Sequence, residues 1–105
     1  MHDNANMKDK DIEKFSALFK VLSDSNRLGL IRHLCSCREA NVSELSQCCS
    51  IDLSVVSRHL AKLKSAGVLS ANKKGKEVFY GLNASELAQM LRELAFEIEK
   101  SDCCR

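Results

Sequence analysis

Six cysteines in 105 residues are the most chemically distinctive feature of this chain. They fall as Cys35-Ser36-Cys37, Cys48-Cys49 and Cys103-Cys104. Secreted chains use such cysteines as a disulfide framework, whereas in a reducing cytosol clustered thiols serve as soft metal ligands or redox sensors. No signal peptide opens the chain and no apolar run is long enough for a membrane span. The expected compartment is the cytoplasm, with no membrane partner. Proline is absent and glycine numbers four, which suits a compact helical domain and not a loop-rich stapled one. Zinc knuckles are not expected, because two separated Cys-x-x-Cys pairs are missing. Without such a motif or a convincing nucleophile–base pair, the chain is not expected to be an enzyme. Cysteines 48 and 49 read as small core residues, and Cys35 either packs on a helix or joins Cys37. His59 lies near a polar helix face; His2 and His33 read as incidental.

A second set of residues is suited to polyanions. Net charge is only +2, but the basic residues gather in the middle of the chain. Ser54, Val55, Ser57, Arg58, His59, Ala61 and Lys62 share one side of a helical stretch. Arginine bridges guanine acceptors or holds phosphate, serine hydrogen-bonds bases or phosphates, and valine meets a thymine methyl. Lys73, Lys74 and Lys76 form a compact cation cluster, suited to phosphates.

The elements that must position these groups follow from periodicity. Ile12, Phe15, Leu18, Phe19 and Leu22 predict an amphipathic helix over about 9–22. Ser23-Asp24-Ser25-Asn26 reads as a stop and a new N-cap, followed by a helix from Arg27 to Leu34 or Cys37. Asn41-Val-Ser-Glu44 is a capping-box pattern opening a short helix to Cys48. Asp52 reads as the N-cap of a fourth helix, with Leu53, Val56, Leu60 and Leu63 as its buried stripe and Gly67 as its stop. Val68–Lys73 and Lys76–Leu82 predict a hairpin turning at Lys74-Gly75. A second capping pattern, Asn83-Ala-Ser-Glu86, opens a last helix with Leu87, Met90, Leu91, Leu94, Ala95 and Ile98 on one side. The expected class is mainly α (α+β), in the order α-α-α-α-β-β-α. Residues 1–8 are expected to be disordered, 9–100 to form one domain, and 101–105 to be a cysteine-bearing tail. The short turn between the third and fourth helices predicts a helix-turn-helix, with a wing supplied by the hairpin.

Residues 15–83 resemble the ArsR/SmtB family of metal-sensing repressors. The resemblance rests on Phe19-Lys-Val-Leu-Ser-Asp-Ser-Asn-Arg27-Leu, Val42-Ser-Glu-Leu45, Val56-Ser-Arg-His-Leu60-Ala-Lys-Leu63-Lys-Ser-Ala-Gly67-Val-Leu and Gly75-Lys-Glu-Val-Phe-Tyr80-Gly-Leu82. It implies a winged helix-turn-helix homodimer, joined through the first and last helices, that binds double-stranded operator DNA until an inducer releases it. Several of the family's metal positions are vacant here. The last helix has no histidine for the interhelical zinc site. Asn41, Ser43 and Ser46 stand where the best-known arsenic site has cysteines, and the fourth helix lacks the cysteines of a cadmium or lead variant. The resemblance leaves another variant, in which a cysteine between the second and third helices meets a terminal pair: Cys37 with Cys103 and Cys104. Trivalent arsenic is the implied inducer, as arsenite on three thiolates or methylarsenite on two, with antimonite a further candidate. No organic cofactor is expected. The rival expectation is a thiol-redox or persulfide sensor on the same fold.

Overall fold

A computed structural model describes residues 7–100. The expected disordered start lies almost wholly outside these residues, and the tail with Cys103 and Cys104 lies wholly outside them. The elements run α1 (Asp9–Leu22), α2 (Ser25–Cys35), β1 (Ala40–Asn41), α3 (Val42–Cys49), α4 (Leu53–Ser65), β2 (Leu69–Lys74), β3 (Glu77–Leu82) and α5 (Ala84–Lys100). The strands form an antiparallel sheet in the order β1-β3-β2. The expected order therefore lacked one strand. Ala40 pairs with Tyr80 and Asn41 with Phe79, so the α2–α3 connection is stitched to the hairpin.

Local chemistry sets the element ends. Asp24 caps α2, its carboxylate accepting from the backbone N–H of Asn26 (2.8 Å) and Arg27 (3.0 Å). Asn41 and Glu44 complete the expected capping box of α3, each side chain accepting from the other's backbone N–H at 2.9 Å. At the end of α4, Gly67 takes φ 81°. Its N–H bonds Lys64 O and that of Val68 bonds Leu63 O, both at 2.9 Å, which is the Schellman arrangement. Lys74 faces Glu77 across the hairpin, so the turn is Gly75-Lys76, not Lys74-Gly75. Gly75 supplies the positive φ (65°) that the first position of a II′ turn requires.

Two expected caps work differently. Asp52 makes no side-chain cap; its carbonyl accepts from Val56 N–H at 2.9 Å. The Asn83 side chain reaches away from α5, donating to Gly67 O at 2.9 Å and accepting from the Ser70 hydroxyl. It ties the base of the wing together.

Leu18, Leu30, Leu45, Val56, Leu60, Leu63 and Val68 are fully buried where α1, α2, α3 and α4 meet the sheet. Burying each such side chain contributes roughly 1.5–3 kcal/mol. Leu53 does not join them. It is the first residue of α4 and is 53% exposed, before the helix has turned onto the core. Helix α5 buries no residue fully, despite its apolar stripe. Leu91, Phe96 and Ile98 are exposed there, as are Ile12 and Phe19 on α1, whereas Phe15 is buried within the chain.

A candidate nucleic-acid interface and its thiol flank

Helices α3 and α4 are joined by Ser50-Ile51-Asp52. Ser50 sits in the left-handed region (φ 55°, ψ 46°), a conformation that favours glycine or asparagine. The turn is held by Ile51 N–H to Ser46 O (3.2 Å) and by the Ser46 hydroxyl donating to Ile51 O. These bonds fix the angle at which α4 leaves α3.

Along α4, Val56, Leu60 and Leu63 face the core. Ser54, Ser57, Arg58, Ala61 and Lys62 are exposed, and Val55 is half-buried. The structure thus brings five of the expected reading residues (Ser54, Val55, Ser57, Arg58, Lys62) to one accessible side of the helix. Lys73, Lys74 and Lys76 are all exposed on the hairpin. Lys74 is engaged, however: its ammonium pairs with the Glu39 carboxylate and lies 5.3 Å from the Phe79 ring centroid. Glu39 immediately precedes β1, so this ion pair spans the same gap that β1 bridges.

His59 departs from the expected reading set. Its ring turns inward, where Nδ1 accepts from Arg27 Nη1 at 3.2 Å and Nε2 lies 3.9 Å from the Asp24 carboxylate. Arg27, only 9% exposed, also donates from Nε to Val21 O at 2.6 Å. One guanidinium therefore joins the end of α1, the start of α2 and the middle of α4. In the sequence Arg27 reads as the beginning of a helix and as part of the family resemblance, and no local pattern marks its side chain as buried.

This cluster has a pH dependence of definite sign. Burial lowers the His59 pKa below its ordinary 6.5, helped by Arg27, Arg58 and Lys62 and opposed by Asp24. The Arg27 backbone N–H, then that of Asn26, lowers the Asp24 pKa below its ordinary 3.8; the nearby His59 and Arg27 charges act the same way and burial opposes them. As pH falls, the unfolded chain protonates its histidine first, so the His59 contribution turns against the fold below about pH 6.5. The Asp24 contribution is present above its unfolded value and lost as pH falls through the lower folded one. Thermal melts from about pH 7 to about pH 5 should show falling stability, and His59→Gln should make that slope shallower. An equal slope in both proteins would remove His59 as its source.

The four described thiols lie at the end of α2, in the connection that follows it and at the end of α3. Cys37 is half-buried, packed against the core just before β1. Cys35 is exposed. Cys49 is half-buried against the core, close to its expected place. Cys48 is not a core residue: it is exposed, with Sγ 3.4 Å from Nδ1 and 3.3 Å from Nε2 of His33. Leu45 faces the core; four residues on, Cys49 follows it inward, leaving Cys48 on the flank toward α2. Burial, and then the Cys48 thiol, raise the Cys49 pKa. Among the described residues, no three His, Cys, Asp or Glu side chains converge on a common ion position. No described helix is long and apolar enough to cross a membrane.

A four-helix core that contains a helix-turn-helix, followed by a β-hairpin wing, defines a winged-helix transcriptional regulator. A helix-turn-helix domain family model matches residues 22–70. The chain is 31% identical over 97 residues to the arsenical resistance operon repressor of Bacillus subtilis, covering 89% of this chain and 92% of the relative. It is 43% identical over 68 residues to the arsenical resistance operon repressor of Escherichia coli, covering 63% and 56%. Among solved structures, an ArsR-like transcriptional regulator from Rhodococcus sp. RHA1 matches with TM-score 0.78 at 23% identity, over 87% of this chain and 85% of that one. The homodimeric winged helix-turn-helix domain of a Mycobacterium bovis regulator matches with TM-score 0.72 at 20% identity, covering 95% and 92%. The chain belongs to the ArsR/SmtB family of winged-helix regulators.

Proposed function

We propose that this chain is a homodimeric, metal-sensing transcriptional repressor that trivalent arsenic releases from its operator. The supporting relatives are arsenical resistance operon repressors, and the homodimeric neighbour offers a template for assembly. The exposed apolar residues of α1 and α5 are the surfaces a second copy would cover. The α4 face enters the major groove, and the wing lysines hold phosphates. The observation that carries the sensing role is the position of Cys37. It lies at the entry to β1 and α3, where a bond to the terminal Cys103 and Cys104 acts directly on the reading unit. An ion that binds the DNA-incompetent state more tightly must weaken DNA binding by the same factor.

The test measures release of a labelled promoter fragment by fluorescence anisotropy. The Cys103→Ser, Cys104→Ser double variant should fold and bind DNA normally but fail to release it on addition of arsenite. Cys37→Ser should impair the response to arsenite more than to methylarsenite, which needs two thiolates. Normal arsenite-driven release from the double variant would reject the tail site. A disulfide or polysulfide in the mass spectrum of the induced protein would favour thiol oxidation instead.

The Glu39–Lys74 pair gives a second expectation. DNA phosphate competes with Glu39 for the Lys74 ammonium, so Glu39→Gln should tighten DNA binding. It should also steepen the dependence of log affinity on log salt by roughly one phosphate contact. An unchanged salt slope would place Lys74 away from the DNA.

A further inference from the structure

We infer that Cys48, Cys49 and His33 form a second thiol site, separate from Cys37 and the tail, which closes as a dithiolate on a monosubstituted trivalent arsenical. Three observations converge on it. Cys48 and Cys49 are consecutive residues at the end of α3 and open onto one cavity. The His33 imidazole lies within 3.4 Å of the Cys48 sulfur, in reach of its proton. All three residues line a cavity of about 350 Å³ between α2 and the end of α3, with Gly29 and Arg32 on its α2 wall. A Cβ built on Gly29 would meet nothing within 4 Å, so the wall leaves room for an organic substituent.

The number of ligands selects the class. No third cysteine or carboxylate among the described residues joins this pair. An arsenic atom that already carries one carbon substituent needs only two sulfurs. Capture of its dihydroxy form is a condensation. Two S–H bonds and two As–O bonds break, two S–As bonds form, and two water molecules leave. Arsenic stays trivalent and nothing is oxidised or reduced. His33 takes the Cys48 proton and returns it to the departing hydroxide.

The site also has leverage on its surroundings. Adjacent residues of a helix leave the axis about 100° apart and do not naturally face one another. Closing both sulfurs on one atom therefore pulls on the last turn of α3, next to left-handed Ser50 and the bonds between Ser46 and Ile51. That turn orients α4. The effect on DNA rests on the repressor reading above, whereas the capture itself does not.

Trypsin separates the thiol pairs, because cleavage at Arg32, Arg38 and Arg58 puts Cys35 and Cys37 on 33–38 and Cys48 and Cys49 on 39–58. The full chain is incubated with one equivalent of phenylarsine oxide, and open thiols are alkylated with iodoacetamide in urea. The arsenical is then displaced by a dithiol, and the released cysteines are labelled with N-ethylmaleimide. The same series is run on the Cys103→Ser, Cys104→Ser variant. There, peptide 39–58 should carry N-ethylmaleimide on both cysteines, and Cys48→Ser should abolish its protection. His33→Gln should slow capture without changing its final extent. Protection confined to 33–38, or retained on Cys49 after Cys48→Ser, would overturn the site; an unchanged rate in His33→Gln would overturn the role given to His33. The labelling pattern is independent of DNA release, so failure of the tail site as inducer leaves this result readable.

Discussion

Arg27→Met is expected to destabilise the fold by roughly 2–4 kcal/mol, because it removes a buried charged donor and leaves its acceptors unpaired. Arg27 is 9% exposed and donates to Val21 O and His59 Nδ1. Methionine replaces much of the apolar stem but neither hydrogen bond. Val21 O is then left in the interior without that partner, and His59 loses the group that holds its ring against α2. A domain of this size has a total stability of about 5–15 kcal/mol, so the loss is a large fraction of the whole. Urea titration reads it as a lower midpoint at unchanged slope. A shift below about 0.5 kcal/mol, the usual range of surface substitutions, would show that the guanidinium is not holding the three helices together. The change should also disturb DNA binding indirectly, since α4 is oriented through His59.

Arg58→Ala is expected to weaken operator binding by roughly 1–3 kcal/mol while leaving stability within about 0.5 kcal/mol. Arg58 neighbours His59 in sequence, but about 100° of helical rotation leaves it exposed on the outward face of α4 while His59 turns inward. The pair of variants therefore separates holding the helix from reading with it. If Arg58 touches a base, its loss also relaxes discrimination at one operator position. If it touches only phosphate, affinity falls on all sequences and the salt slope drops by about one contact. Unchanged affinity on operator and random DNA alike would sink the proposed reading face.

The helices and the wing were legible in the sequence because their apolar spacing and turn chemistry agree. Asn41 with Glu44, and Gly67 after Leu63, mark their element ends locally. The strand β1 was not legible: Ala40 and Asn41 carry no strand pattern and pair only because β3 lies beside them. Leu53 misled because a three-residue step to Val56 fits a buried stripe, yet the first residue of a helix need not reach the core. The candidate thiols were visible as residue types, but their roles were not. Whether Cys48 or Cys49 faces inward depends on where α3 meets α2, and the contact with His33 joins residues fifteen apart. The inward turn of His59 was hidden for the same reason, since it depends on Arg27 in another helix. Helix α5 shows the converse limit. Its stripe was plain, but periodicity does not say whether an apolar face meets its own chain or a second copy.

The strand β1 has only two residues, with Ala40 buried and Asn41 half-exposed. A slip by a single residue would swap their faces, setting a polar amide in the core and breaking the capping of α3 that Asn41 provides. The pairings with Tyr80 and Phe79 are thus the backbone tie between the loop that carries Cys37 and the wing, and their register sets both the core and the start of α3 at once.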